Sequence, residues 1–202
     1  MNRNALDFHL AMRVLHWLMA AMVLIMLFLG VGMVSTTGPQ YTALLALHRP
    51  VGVVVLLLVL IRVPLRLATG APALPGDLPP LQKRIATVSH VLLYLSMIAM
   101  PLIGWAMLSA GGYSVQVLES LALPRILPHD LETYAVLRTA HTAVAMLLFA
   151  LILAHLAAAL MHGLIRRDGV LRSMTVGHRH VAGGDSQNKM RDVAGTIDES
   201  RG

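Results

Sequence analysis

The sequence has no cysteine and is poor in aromatic and acidic side chains. Without thiols there are no disulfides, iron–sulfur clusters or thiolate chemistry, so any redox centre must be held by other ligands. Only 10 Asp and Glu stand against 16 Lys and Arg in 202 residues. Outside the C-terminal tail the acids are Asp7, Asp77, Glu119, Asp130, Glu132 and Asp168, all in connections or at the ends of apolar runs. None falls inside such a run, which argues against a proton pathway of buried carboxylates.

What is present in excess is apolar. Hydrophobic residues make up 56% of the chain and mean hydropathy is +0.70, values that belong to a membrane protein. Four runs, 14–34, 44–67, 88–108 and 139–165, each supply roughly the 20 residues with which a helix crosses a hydrocarbon core of about 30 Å. An apolar solvent obliges the backbone to satisfy its own hydrogen bonds, so these runs are predicted to be helices. The first follows Arg3 and Arg13 as a signal peptide would, but it is longer than a typical signal core and contains His16-Trp17, so it is read as a retained helix.

The cations are unevenly placed. Arg3, Arg13, Arg62, Arg66, Lys83, Arg84 and every Lys and Arg after residue 165 fall on one side, leaving only Arg49, Arg125 and Arg138 on the other. By the positive-inside tendency both termini are expected in the cytoplasm. The net charge of +6 then reflects topology and anionic lipid, not nucleic acid.

The connections complete an up-down four-helix membrane bundle over 1–176, an all-α fold. Residues 35–43 form a short outer loop and the Pro/Gly-rich 69–84 an inner one. The longest outer segment, 109–138, is expected to carry a short helix near Val115 to Leu121, with breaks at Pro124 and Pro128. Residues 177–202 read as a disordered cytoplasmic tail, in which His178 and His180 are solvated.

The polar residues inside the apolar runs follow one interval. On an α-helix, fourteen residues turn through about 1400° and climb about 21 Å, so n and n+14 share a face at opposite depths. His141 and His155 are such a pair, and His16 with Gly30, His48 with Arg62, and His90 with Gly104 repeat the spacing. With alternating helix directions, His16, His90, His155 and Arg62 gather toward the inner side, and His48, His141, Gly30 and Gly104 toward the outer. Ionisable groups at such depths are expensive and mark function. Imidazoles in two layers, glycines for close approach and an arginine for an acidic group match haem b with two axial histidines and a propionate paired to arginine. Zinc would usually require three or four clustered ligands. The second nitrogen of each ligand needs a partner, either a backbone carbonyl or a hydroxyl such as Ser89 or Thr142. The inner layer offers three histidines for two axial positions.

The segments "VLHWLMA", "LHRPVGVVVLLLVLIRVPLRL", "SHVLLYLSMIAMPLIGW" and "AHTAV...LAHLAAALMHGLIRRDGVLRSM" together make the chain similar, from about Arg13 to Met174, to the bacterial cytochrome b561 family. It most resembles the small stand-alone members that act as superoxide oxidases. The resemblance implies a bundle enclosing two b-type haems in the bacterial inner membrane, with His48 and His141 on the outer haem and His16 and His155 on the inner. His90 is then a neighbour. It also implies oxidation of periplasmic superoxide to oxygen, with electrons passed to ubiquinone on the cytoplasmic side. His162, seven residues beyond His155, is the leading quinone-site candidate, with Lys83, Arg84 and His90 as companions. Arg49, beside His48, and Arg138, three residues before His141, are candidates for steering the superoxide anion, Arg125 a more remote one. Arg62 is assigned to an inner propionate, and Arg66 to headgroups. The competing expectation is a carrier that links a periplasmic redox protein to the quinone pool, which would need a docking surface within 109–138. A haem-free transporter or structural bundle is the third.

Overall fold

The structure, a computed structural model, describes residues 8–70, 78–118 and 120–175. Four long helices dominate it: α1 (Leu10–Ser35), α2 (Pro39–Thr69), α3 (Pro80–Ala110) and α4 (Leu131–Leu160). Each is long and apolar enough to span a bilayer, α4 together with the π-helical turn Met161–Arg166 that extends it. α1 packs along α2 and α3 along α4, with α2 against α3 between the two pairs. α4 approaches α1 and α2 far less closely, which leaves a gap lined by side chains. The end of the bundle with the start of α1 and the end of α4 is called here the terminal end.

The interior is a set of narrow stripes. Met12, Met19 and Val23 are buried on α1, Val55, Val59 and Arg62 on α2, and Leu148 on α4. Leu148 stands midway between His141 and His155, and a repeat of seven keeps one face inward with a slight left-handed coil. Large side chains such as Phe28, Val34, Leu67 and Ile165 point outward, as a lipid solvent permits. Pro50 and Pro64 lie within α2 and Pro101 within α3. Such prolines are tolerated in membrane helices because neighbouring helices and local adjustments re-satisfy the freed carbonyls.

α3 and α4 begin at Pro80 and Leu131, well before the apolar runs at 88 and 139. The early starts come from capping, which hydropathy does not register. Pro80 occupies the first turn of α3, and the Asp130 carboxylate accepts from the N–H groups of Glu132 (3.2 Å) and Thr133 (3.3 Å). Lys83 and Arg84 therefore sit in the first turns of α3 and not in a loop.

The short helix expected near Val115 to Leu121 is absent. In its place β1 (Val115–Leu118) and β2 (Leu121–Leu123) form an antiparallel hairpin, with Val115 opposite Leu123. Alternation explains the difference: Val115 is buried while Gln116 and Leu118 are exposed, a period of two that a single helical turn cannot satisfy. Side chains of α3 bind the segment just after β2. Trp105 Nε1 donates to the Pro124 carbonyl (2.8 Å), and the Ser109 hydroxyl donates to Trp105 O (2.8 Å) while accepting from Ile126 N (3.2 Å).

At the terminal end α5 (Val170–Met174) folds back onto α1. Trp17 Nε1 donates to Met174 O (2.9 Å), and the Arg13 guanidinium donates to Thr175 O. The tail 177–202, with His178 and His180, lies outside the described residues, as do Arg3, Asp7, Asp77 and Glu119.

Ser109 is fully buried, so Ser109→Ala would strand the Ile126 N–H. The substitution is expected to cost about 1–3 kcal/mol, read as a lower thermal midpoint in detergent, with the helical circular dichroism unchanged at low temperature.

Candidate functional site

The histidines of the apolar helices meet in pairs across the gap between the two helical hairpins. At the terminal end the rings of His16 (α1) and His155 (α4) have centroids 6.2 Å apart, inclined at 74°. At the opposite end His48 (α2) and His141 (α4) stand 6.3 Å apart at 64°. α4 contributes one ring to each pair, and the fourteen residues between them separate the pairs by about 21 Å along its axis.

These dimensions bear on what the rings can hold. A metal bonded to two facing imidazole nitrogens at about 2 Å each places the ring centres roughly 6 Å apart. Both pairs have that spacing. Among the described residues no group of three or more His, Cys, Asp or Glu converges on a metal position, so the donor sets are pairs. His48 Nδ1 and His141 Nδ1 are buried without a hydrogen-bond partner among the described residues. For His141 the Met100 carbonyl of α3 is a neighbouring acceptor, although Nδ1 completes no hydrogen bond of normal geometry. Buried polar atoms rarely go without a partner, and here a bound ligand is the natural one to fix the ring orientation. Gly104 on α3 faces the same pair, and a Cβ there would stand 3.3 Å from His141 Cε1. Gly30 has open space where a Cβ would point. The residues present therefore fit a flat, axially ligated group such as b-type haem.

The hydroxyls considered as ring partners do not serve. Ser89 donates to Ala86 O (3.0 Å) and Thr142 to Arg138 O (3.0 Å), each within its own helix, where the neighbouring carbonyls are the nearest competing acceptors.

His90 of α3 is a third ring at the terminal end, 5.4 Å from His155 at 76°. Its Nδ1 lies 2.6 Å from Ala86 O, which makes it a donor to its own helix. The shorter separation from His155 does not match the 6.2 and 6.3 Å of the other two pairs.

Arg62 is only 6% exposed. Its Nε donates to the Tyr94 hydroxyl at 2.9 Å, while Nη1 is buried without a partner among the described residues. A guanidinium so placed requires an anion. Tyr94 was not anticipated, because no spacing rule links α2 to α3; a buried arginine in need of an acceptor was the only signal. Arg66, one turn further along α2, stacks over the Phe8 ring at 5.1 Å, a cation–π contact, and bonds Gly70 O (2.8 Å).

Beyond the terminal-end pair, His162 Nδ1 lies 2.5 Å from Asp168 Oδ2, which Arg166 Nε approaches to 3.3 Å. Asp168 Oδ1 accepts from Val170 N (3.2 Å). Burial by itself raises the Asp168 pKa, but the bonds from His162 and Val170 and the nearby positive charges outweigh it and hold the carboxyl below the usual carboxylate range. The partnership was missed because residues six apart lie on different faces of an α-helix. Here the π-helical turn and the left-handed Arg167 (φ 52°) bring them together. Lys83 and Arg84 lie nearer the start of α3 than His90, one part-buried and the other exposed.

At the opposite end Arg49 adjoins His48, and its Nε is buried without a partner among the described residues. Arg138 is exposed and lines an open groove with Thr139, Thr142, Ala143 and Met146. Arg125 is exposed between β2 and α4.

The chain is similar to known proteins along most of its length. The family model described as prokaryotic cytochrome b561 matches residues 7–177. The chain is 30% identical over 127 residues to cytochrome b561 homolog 1 of Escherichia coli (strain K12), which covers 63% of this chain and 72% of the relative. It is 28% identical over 128 residues to the probable superoxide oxidase CybB of Yersinia pestis, with the same two coverages. Four apolar helices that carry b-type haem for electron transfer in a bacterial membrane are the family's common ground, and this chain belongs to the prokaryotic cytochrome b561 family.

Proposed function

We propose that the protein binds two b-type haems, oxidises periplasmic superoxide to oxygen and reduces ubiquinone, with both termini in the cytoplasm. The observation that carries the two-haem reading is the pair of matched imidazole separations, 6.2 and 6.3 Å, held at two depths by one helix. His16 and His155 would hold the inner group, His48 and His141 the outer. Bound there, haem would supply reversible one-electron transfer, with both imidazoles of each pair as its ligands.

The chain's own residues set the surroundings of each step. Arg62 offers Nη1 to an inner propionate, with Tyr94 fixing the guanidinium plane. Arg49 and Arg138 place positive charge at the outer entrance, which raises the encounter rate of a small anion. Two superoxide ions each give up one electron and leave as oxygen. One ubiquinone takes both electrons and two protons and leaves as quinol, with His162, Lys83, Arg84 and His90 as the residues nearest its site. Support for superoxide as donor comes from the similarity to the probable superoxide oxidase of Yersinia pestis together with the outer arginines. Support for the orientation is the crowding of cations at the terminal end.

A second reading has its own observation. The β-hairpin exposes Leu118 and Leu121, and Tyr113 before it is exposed as well. An apolar surface of this kind suits a redox protein that docks from the periplasm, in which case the chain is a carrier between that partner and the quinone pool.

A pulse of superoxide given to the oxidised holoprotein discriminates between the two. Haem reduction faster than in a superoxide dismutase control is expected, whereas equal rates would leave the carrier. Replacing His48 or His141 by Ala is expected to lower haem content from two per chain to one, with the inner haem's spectrum and potential retained; selective loss of the inner haem would reverse the assignment. Arg49→Glu is expected to slow the superoxide step by about tenfold or more at low ionic strength, with the deficit shrinking as salt screens the charge. Salt-independent, wild-type kinetics would reduce Arg49 to a structural role.

A further inference from the structure

Among the described residues Asp168 is the acid of the terminal end, set among several cations. Arg62 bonds Tyr94, Arg66 stacks on Phe8, and Arg13 ties α5 to α1. Asp168 follows the last membrane span, and the backbone is bent to bring it back: α4 widens into a π-helical turn at Met161–Arg166, and the chain reverses through Arg167 and Gly169, both at positive φ (52° and 83°). Arg167 is the sole non-glycine residue with positive φ among the described residues. Wide turns and left-handed non-glycine residues carry a local cost and cluster at functional sites.

The result of the bend is one contact. Asp168 Oδ2 meets His162 Nδ1 at 2.5 Å, with the two side chains 11% and 16% exposed. The carboxylate is otherwise satisfied, by Arg166 on Oδ2 and by Val170 N on Oδ1. Two hydrogen bonds, from His162 and Val170 N, and the charge of Arg166 favour its anionic form, so it stands as an acceptor facing Nδ1. An anion against Nδ1 does two things to an imidazole: it fixes the tautomer with the proton on Nδ1, and it stabilises the imidazolium that forms when Nε2 is also protonated. Nε2 is the nitrogen that Asp168 leaves free to act.

We propose that Asp168 is a positioning residue that holds His162 in the Nδ1–H form and thereby makes His162 Nε2 the proton donor to the quinone reduced at the terminal end. The proposal rests on the quinone-reducing reading above. Reduction of one quinone consumes two electrons and two protons. With each electron, the His162 imidazolium gives its Nε2 proton to a quinone oxygen, and the neutral Nδ1–H ring recovers a proton at Nε2 from cytoplasmic water. Asp168 remains ionised throughout. A purely structural Asp168 would only cap α5 through Val170 N, a bond that the carbonyl of an asparagine reproduces.

The test uses the full-length holoprotein, with haem reduced by stoichiometric dithionite so that superoxide plays no part, and mixed with ubiquinone-1 in a stopped-flow spectrometer. Asp168→Asn is expected to slow haem reoxidation by about tenfold or more, with haem content and helicity unchanged. In ¹⁵N NMR of the histidine-labelled, reduced protein, His162 is expected as the Nδ1–H tautomer in the wild type and as a mixture in Asp168→Asn. His162→Gln/Asp168→Asn is expected to be no slower than His162→Gln alone, because Asp168 acts through the ring. Should the Asn variant lose haem, Asp168→Glu keeps the anion and is expected to retain both tautomer and rate. A wild-type rate in Asp168→Asn, a wild-type ring protonated on Nε2, or multiplying effects in the double variant would each overturn the proposal. A wild type that quinone does not reoxidise removes the quinone reading itself, a result separable from these because it appears before any variant is made.

Discussion

The fold depends on the cost of carrying imidazoles inside an apolar solvent. Lipid offers no hydrogen bonds, so a ring nitrogen inside the bundle must be met by protein or by a ligand. The four helices do not close uniformly around a packed core. They form two tight hairpins with a gap between, and the rings of His16, His48, His141 and His155 reach across it. The heptad-spaced stripe on α4 makes this possible, because it returns His141, Leu148, His155 and His162 to one face at successive depths. If that register slipped by one residue, α4 would rotate by about 100° and both pairs would be lost together.

The two ends of the bundle are closed by different chemistry. At the hairpin end, neutral hydrogen bonds from Trp105 and Ser109 bind a two-stranded cover to α3. At the terminal end, beside the neutral bond from Trp17 to Met174 O, charged side chains carry several contacts: Arg62 with Tyr94, Arg66 over Phe8, Arg13 to Thr175 O, and Asp168 between His162 and Arg166. Charged contacts hold long side chains in fixed places near a boundary where water competes. Among the described residues no ion pair joins Arg49, Arg125 or Arg138 of the hairpin end to a carboxylate, which on the proposed reading leaves their charge to act on a small anion.

Much of this was legible in the residues, for an identifiable reason. Apolar run length reports bilayer thickness, and the n, n+14 interval reports helical phase and depth together. The four spans, and the gathering of His16, His90 and His155 at one depth and of His48 and His141 at the other, need no more than that; the choice of His16 with His155 among the three rings is what the family resemblance implies. What escaped depends on terms that neither measure contains. The early starts of α3 and α4 are set by Pro80 and Asp130, which are capping effects of single residues. The β-hairpin rests on alternation over only a few residues, too short to tell from a helical turn. Tyr94 and Asp168 find their partners through tertiary approach and through a π-helical turn, so a phase argument built on 3.6 residues per turn places them elsewhere.

The spacing along α4 also separates two tasks. His155 belongs to the terminal-end ring pair, and His162 lies one heptad, about 10 Å, further toward that end. A ring that serves as an axial ligand must stay neutral and keep one nitrogen on the iron, so it cannot also cycle a proton. A ring that cycles a proton needs access to water and an anion that stabilises its charged form. One heptad is the shortest step that keeps the same face while crossing from the apolar interior to the segment where the helix widens and Asp168 can fold back. On the proposed reading, electron and proton therefore reach the quinone along one helix but from different residues, and the irregular backbone at Met161–Arg166 is the means by which the second of them acquires its partner.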